Sequence, residues 1–176
     1  MKQSSKSTQP VVPALPSLPK PKYSQPIMLS LSLSLLTLAV TALAADPTPP
    51  KLTYLYSANL TFLAPITIGA VPSGSRNLLT ISGGTVKGPK INGKVGSGVD
   101  WGLTDSKGVF SPDALYTLHT SDNATILVFE KGHAPNVQIL FETASEKYAW
   151  LNSAVGYASG GPNDVGIGLD VWQIGA

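Results

Sequence analysis

The chain has 176 residues with 17 glycines, 15 prolines and no cysteine. This length fits one domain with flanking segments, and the missing cysteines exclude disulfides, thiol catalysis and cysteine metal sites. The first 45 residues hold four lysines and no acid, so residues 46–176 carry eight cations against ten anions. A mildly acidic body removes the main electrostatic support for a nucleic-acid partner.

The chain begins with a polar leader and an apolar run. Residues 1–26 are rich in proline and serine, so we expect them to be disordered. Residues 27–45 carry no charge and end in Ala42-Leu43-Ala44, a small-x-small pattern typical of a signal peptide. An uncleaved membrane anchor is the alternative, because the run approaches the ~20 residues that span a bilayer.

The signal segment indicates a secreted, extracellular protein, with membrane contact only where the leader stays uncleaved. Translation from Met28 would remove the polar leader and keep the apolar run. Residues 46–50 are then a stiff proline-rich spacer before a domain over 51–176.

In the body, apolar residues recur with a period near two between glycine, proline, asparagine and aspartate turns, which predicts many short strands. The predicted strands are Leu52–Leu63, Asn77–Ser82, Thr85–Val86, Ile91–Val95, Asp100–Leu103, Ala114–Thr120, Ala124–Glu130, Val137–Thr143, Tyr148–Tyr157 and Val165–Ile174. Gly160-Gly161-Pro162-Asn163 is predicted to be a turn. We expect one all-β, antiparallel sheet closed into a barrel without exposed edges, with a β-sandwich as the alternative.

Motifs for catalysis or cofactor binding are missing from the sequence, namely phosphate-binding loops, His-Glu-x-x-His and Gly-x-Ser-x-Gly. We therefore predict no cofactor and no metal. His119, in the middle of a predicted strand, is a candidate general base or an ordinary strand histidine.

Two charged residues lie at positions where a specific partner is expected. Arg76 is the only arginine, and its guanidinium suits either a carboxylate ligand or a structural salt bridge, for instance to Asp100. Asp100 precedes Trp101, so its carboxylate lies beside apolar surface, where a raised pKa or a cation partner is expected. A core tryptophan with a turn-capping aspartate is the alternative.

Tyr148, Trp150 and Asn152 fall at i, i+2 and i+4 of a predicted strand and should share one face. Two aromatics and an amide on one face are typical of a small-molecule pocket, which Tyr116 could join from a neighbouring strand. A buried structural network is the alternative.

Asn59-Leu60-Thr61 and Asn123-Ala124-Thr125 match the glycosylation acceptor pattern, which matters only in the secretory route. Asn123, at a predicted hairpin tip, is the better candidate.

Five stretches of the body resemble domain-of-unknown-function family 3237, also called uncharacterised protein family 0311. They are Gly74-Ser75-Arg76, residues 81–89, residues 98–101, residues 114–120 and residues 148–152. The resemblance implies a small antiparallel barrel of the calycin-like kind, with no settled activity. The matching family positions are Arg76, Asp100, Trp101, Tyr116, Tyr148, Trp150 and Asn152. His119 departs from the arginine usual there, which puts the type of ligand in doubt.

Three functional hypotheses follow. In the first, the lumen binds a small, partly apolar molecule between walls of Trp101, Tyr116, Tyr148 and Trp150, with Arg76, Asp100, Asn152 and His119 as polar contacts. In the second, the barrel is an isomerase, cyclase or lyase, with Asp100 as base, Tyr116 or His119 as acid and Arg76 stabilising an oxyanion. In the third, it is a surface or cell-wall interaction protein.

Overall fold

The computed structural model describes residues 46–175. Within them the chain forms β1 (Leu52–Phe62), β2 (Ile66–Val71), β3 (Gly74–Lys87), β4 (Gly93–Thr104), β5 (Phe110–Ser111), β6 (Asp113–Thr120), β7 (Thr125–His133), β8 (Asn136–Glu142), a 3₁₀ helix (Glu146–Ser153), β9 (Gly156–Asn163) and β10 (Gly166–Ile174). The predicted leader and signal segment, 1–26 and 27–45, lie outside the described residues. Among residues 46–175, no helix is long and apolar enough to cross a membrane.

Eight antiparallel strands close into a barrel in the order β3-β1-β10-β9-β8-β7-β6-β4, and β4 then pairs with β3. The short β2 pairs with the first half of β3, and β5 pairs with the last residues of β4. Closure satisfies the backbone hydrogen bonds that an open sheet would leave at its edges. The predicted all-β barrel is confirmed.

Side chains alternate between the lumen and the outer surface along the strands. In β6, Ala114, Tyr116, Leu118 and Thr120 are buried, whereas their neighbours are exposed or half-buried. Strands β7 and β8 repeat this pattern. Along β6, β7 and β8 the core is thus built from every second residue, which is the period read from the sequence.

The two ends of the barrel differ. At one end, the 3₁₀ helix between β8 and β9 buries Tyr148 and Leu151, and Leu151 has 0% exposure. At the other end, β1, β7 and β9 finish and β6, β8 and β10 begin, and no helix formed by residues 46–175 covers them. We call these the closed end and the open end.

The predicted strand Tyr148–Tyr157 is wrong, because residues up to Ser153 form the 3₁₀ helix and β9 starts only at Gly156. Buried residues here are Tyr148, Leu151 and Ala154, a spacing of three that matches the 3₁₀ period. Backbone bonds support the turns, with Tyr148 N donating to Ser145 O at 3.1 Å.

Other boundaries also differ from the predictions. The separate strands Asn77–Ser82 and Thr85–Val86 are parts of the continuous β3. The separate strands Ile91–Val95 and Asp100–Leu103 merge in the same way into β4, which begins at Gly93, and β2 and β5 were not predicted. The predicted turn Gly160-Gly161-Pro162-Asn163 belongs to β9, where it pairs with residues 166–169 of β10. Glycine and proline indicate turns when only local preference is considered, and here cross-strand pairing overrides that preference.

Candidate functional site

A cavity of about 520 Å³ occupies the open end of the barrel. Its walls are almost entirely apolar, and two carboxyl side chains, Asp100 and Glu130, are the charged groups that line it. The apolar walls include Leu60, Phe62, Leu79, Ile81, Phe110, Pro112, Ala114, Pro135, Val137, Ile167 and Leu169. A concave apolar pocket with a few polar groups is the usual form of a small-molecule site.

The strand register brings the two carboxyl groups together. Asp100 of β4 pairs with Ala114 of β6, and Ala114 pairs with Glu130 of β7, so the three residues form one row. Adjacent strands lie ~4.8 Å apart, which places the two outer backbones of the row about 10 Å apart. Because alanine has only a methyl group, the longer acidic side chains can extend toward each other above it.

Asp100 is buried, with 6% exposure. Burial raises the pKa of its carboxyl group, and the charge of Asp113 adds to the effect. The backbone N–H of Asp113 donates to Asp100 Oδ1 at 2.9 Å, which opposes the rise by stabilising the carboxylate. Asp100 is therefore held in place and poorly solvated, but it retains one donor for its charged form.

Glu130 is equally buried, with 6% exposure. Desolvation, followed by the charge of Asp100, raises the pKa of Glu130 to about 7. The phenol of Tyr116 donates to Glu130 Oε2 at 3.3 Å. Near neutral pH this carboxyl group can therefore both give and accept a proton, as acid–base catalysis requires.

Tyr56 lies beside this group on β1. A register shift between Tyr54 and Tyr56 leaves both Leu55 and Tyr56 fully buried. The Tyr56 hydroxyl has no hydrogen-bond partner among the described residues. Burial and then the charge of Glu130 raise its pKa above the ordinary value, which shows that the phenol feels the carboxyl group.

Two glycines of β4 allow this packing. A Cβ atom on Gly98 would lie 2.3 Å from Tyr116 Cβ, and one on Gly102 would lie 2.5 Å from Phe110 Cε2. The Phe110 ring therefore lies directly against the backbone of Gly102, and the Cβ of Tyr116 lies against that of Gly98. Gly98 positions the tyrosine that reaches Glu130, and Gly102 admits the phenylalanine that walls the cavity.

Of the sequence-predicted site residues, Asp100 lines the cavity and Tyr116 contacts it through Glu130. Arg76 makes no salt bridge to Asp100. Its Nη1 donates instead to the backbone carbonyl of Trp101 at 2.6 Å. Trp101 is 47% exposed, since the residue after an inward Asp100 must point outward.

The predicted shared face of Tyr148, Trp150 and Asn152 does not exist, because these residues lie on the 3₁₀ helix at the closed end. Tyr148 donates to Asp122 Oδ1 at 3.1 Å, and Trp150 is exposed with the Lys90 ammonium 6.0 Å from its ring. Asn152 bonds both backbone groups of Thr143, at 2.8 and 2.9 Å.

His119 is exposed on the outside of β6, with its ring nitrogens 3.3 and 3.4 Å from the hydroxyls of Thr125 and Thr117. The other six predicted site residues do not line the cavity: Arg76, Trp101, His119, Tyr148, Trp150 and Asn152. Their part in ligand binding stays a prediction. Among residues 46–175, no three histidine, aspartate or glutamate side chains converge as metal ligands.

The two predicted glycosylation positions have different surroundings. Asn123 is exposed in the β6–β7 turn with a φ of 66°. Asn59 is half-buried in β1, where its Oδ1 accepts from Asn163 Nδ2 at 2.7 Å.

Glu130 is the site residue that the sequence analysis did not select. Its signal was present, because Ile126, Val128 and Glu130 occupy alternate positions of a predicted strand. The pattern that places two apolar residues in the core places the carboxyl group there as well. A charged residue at an inward-facing position of a predicted strand therefore indicated a functional site.

The fold and site define a small antiparallel barrel with a carboxyl pair in its lumen. The family model "Protein of unknown function (DUF3237)" matches residues 50–137. The chain belongs to this family, and the resemblance seen in the sequence is confirmed.

Several known proteins are similar to this chain. The hydroalkoxylation enzyme phnH of Penicillium herquei is 40% identical over 144 residues, covering 80% of this chain and 95% of that protein. The crystal structure of an enzyme from Penicillium herquei matches with a TM-score of 0.69 and 38% identity, over 75% of this chain and 99% of that one. A β-barrel-like protein of Acinetobacter baumannii matches with a TM-score of 0.69 and 27% identity, over 73% and 98%.

Proposed function

We propose that the open end of the barrel is an acid–base active site that closes a ring in a small, partly apolar molecule. The reaction adds a hydroxyl group across a carbon–carbon double bond of the same molecule. The row Asp100-Ala114-Glu130 within the apolar cavity carries this proposal. The name of the Penicillium herquei relative, a hydroalkoxylation enzyme, supports the reaction class.

The two carboxyl groups suit opposite roles. Because the charge of Asp100 helps to raise the pKa of Glu130 to about 7, we assign one shared proton near neutral pH, with Asp100 ionised and Glu130 protonated. Asp100 takes the hydroxyl proton of the substrate while the oxygen bonds to one alkene carbon, and Glu130 gives its proton to the other. The π bond is lost, and one C–O and one C–H bond form.

Turnover restores the starting state when the proton on Asp100 passes to Glu130. The Tyr116 phenol, which donates to Glu130 Oε2, orients this carboxyl group and stabilises its charge after it gives up the proton. The apolar walls exclude water, which would otherwise compete with the substrate hydroxyl for the alkene. Positioning of the two reacting groups within the cavity adds to the rate.

The test uses the full chain and a panel of phenols that carry an ortho alkenyl group. Ring closure leaves the mass unchanged, so the product is separated by chromatography and identified by NMR. In D₂O, the product should carry one deuterium on carbon, delivered by Glu130. Glu130→Gln removes the acid, and we expect the rate to fall by about 10²- to 10⁴-fold.

The matched control is Glu142→Gln, which makes the same change on the exposed outer face of β8. It should leave the rate unchanged. Equal rates for Glu130→Gln and the wild-type protein would contradict the assigned role, as would a product without deuterium on carbon.

Binding without chemistry is the second candidate, favoured by the almost wholly apolar lining of the cavity. In that case the alkenyl phenols bind saturably and leave unchanged, and Glu130→Gln binds them as well as or better than the wild-type protein. Calorimetric titration combined with product analysis separates the two functions.

A further inference from the structure

The outer face of β1, β10 and β9 carries a second concavity of about 400 Å³. Alternation along β1 directs Ala58 inward and Ser57 and Asn59 outward. The outward side chains that line the concavity are polar and small: Ser57, Asn59, Ser159, Asn163 and Asp170. Gly160, Gly161 and Leu169 border both this concavity and the cavity of the lumen, so the two spaces lie on opposite sides of the same strands.

Three aromatic residues form a row across the same strands. Tyr54 of β1 pairs with Trp172 of β10, which pairs with Tyr157 of β9. The ring centroids of Tyr54 and Trp172 are 6.1 Å apart, and those of Tyr157 and Trp172 are 5.9 Å apart. None of the three is buried. They form an aromatic platform next to the polar concavity.

A chain of hydrogen bonds joins the platform to a carboxylate. The Tyr54 hydroxyl lies 2.7 Å from Ser57 Oγ, and Ser57 Oγ donates to Asp170 Oδ1. Among the described residues, Asp170 has no cationic partner, and its Oδ2 accepts no hydrogen bond. One oxygen of an exposed carboxylate is therefore oriented and still able to accept.

The floor of the concavity is shaped by Gly168. Asn163 reaches across it, and its Nδ2 donates to Asn59 Oδ1 at 2.7 Å. A Cβ atom on Gly168 would lie 2.7 Å from Asn163 Nδ2, so any other residue would displace the amide. The same asparagine accepts the backbone N–H groups of Val165 and Gly166 at 3.0 Å, which fixes its orientation.

We propose that this outer face binds a saccharide. The C–H groups on the face of a sugar ring carry partial positive charge and stack on the electron-rich faces of Trp172 and its neighbours. Vicinal hydroxyl groups donate to the free oxygen of Asp170, a charge-assisted bond, and exchange hydrogen bonds with Ser159. The concavity has a carboxylate and no cation among its lining residues, so it selects against phosphate and carboxylate ligands.

The experiment titrates the full chain with D-glucose, cellotetraose and maltotetraose while tryptophan fluorescence and heat are recorded. Trp172 lies in the proposed site, so its emission should change with bound tetrasaccharide. We expect saturable binding of at least one tetrasaccharide, weakened by roughly tenfold or more in Trp172→Ala. Asp170→Asn keeps the shape of the side chain and should weaken binding as well, which covers the possibility that Trp172→Ala folds poorly.

Matched controls lie away from the site. Trp150→Ala removes an exposed tryptophan from the 3₁₀ helix, and Glu142→Gln removes an exposed carboxylate from β8. Both should bind the tetrasaccharide as the wild-type protein does. Failure of all three sugars to bind the folded wild-type protein would overturn the proposal. Binding of spermidine in their place, or equal weakening in the controls, would also overturn it.

Discussion

The closed and open ends of this barrel are built from the same alternating strands, but the interior is packed at one end and hollow at the other. At the closed end, Leu118, Ile126 and Leu151 are at most 1% exposed and form a solid core beneath the 3₁₀ helix. At the open end, the same inward positions surround a cavity of about 520 Å³ and include Asp100 and Glu130. The packed core and the cavity with its acidic pair are thus separated along the barrel axis, with Tyr56 and Tyr116 next to the acidic pair.

The largest difference between the two ends should be in the stability that is lost when a leucine is replaced by alanine. Leu118→Ala leaves a void in a packed core and should lower the free energy of unfolding by about 2–5 kcal/mol. Leu79→Ala enlarges a cavity that is already open, and its side chain is only half-buried, so we expect a loss of about 1 kcal/mol or less. Urea denaturation of the two variants measures both values. Equal losses would show that the open end is also part of the stabilising core.

Much of the barrel could be predicted because strand alternation is a local property of the sequence. The predicted strand Ala114–Thr120 matches β6 to within one residue, and the structure buries its alternate residues Ala114, Tyr116 and Leu118. The prediction for the segment around Tyr148 was wrong because its apolar spacing fits both a strand period and a helical period. Positions 148, 150 and 152 suggest a strand, whereas Tyr148, Leu151 and Ala154 fit a 3₁₀ helix. The bonds from Asn152 to Thr143 favour the helix, and they depend on contacts that local pattern does not show.

The acidic pair should make the stability of the protein depend on pH. The pKa of Glu130 is 4.5 in an ordinary setting and about 7 in the folded barrel. Between these values the folded protein binds more protons than the unfolded chain, so the contribution of Glu130 to stability is greatest below its ordinary pKa of 4.5 and is lost as the pH rises to about 7. The loss should be on the order of 3 kcal/mol. The raised pKa of Asp100 acts in the same direction.

Urea denaturation at about pH 5 and about pH 8 measures this slope. Glu130→Gln should flatten most of it, because an amide does not titrate, whereas Glu142→Gln should keep it. A wild-type protein that gains stability between the two pH values would contradict the pKa of Glu130 and, with it, the shared proton in the proposed mechanism.

The candidate site was harder to predict than the fold, because it depends on which strands become neighbours. Asp100 was selected from its sequence position beside Trp101, and a salt bridge to Arg76 was one of the two alternatives for that arginine. The register of β4, β6 and β7 pairs it with Glu130 across Ala114 instead. The exact register of these pairs determines that row, and it includes a shift between Val95 and Gly98 that the local sequence pattern does not show.

The smallest effects test the boundary between the two ends, where two buried tyrosines differ by one hydrogen bond. The Tyr56 hydroxyl has no partner among the described residues, whereas that of Tyr116 donates to Glu130 at 3.3 Å. A buried polar group without a partner is destabilising, so Tyr56→Phe should raise the free energy of unfolding by about 1 kcal/mol. Tyr116→Phe removes a donor from a buried carboxyl group and should lower it by a similar amount, about 1 kcal/mol.

Urea denaturation of both variants measures the two changes in the free energy of unfolding. A gain in Tyr56→Phe and a loss in Tyr116→Phe would show that the boundary between the closed and open ends runs between the two tyrosines. A loss of stability in Tyr56→Phe would instead mean that its hydroxyl is satisfied in solution. In that case the phenol belongs to the acidic pair of the open end, and Tyr56→Phe should also change the pH dependence of stability that Glu130 produces.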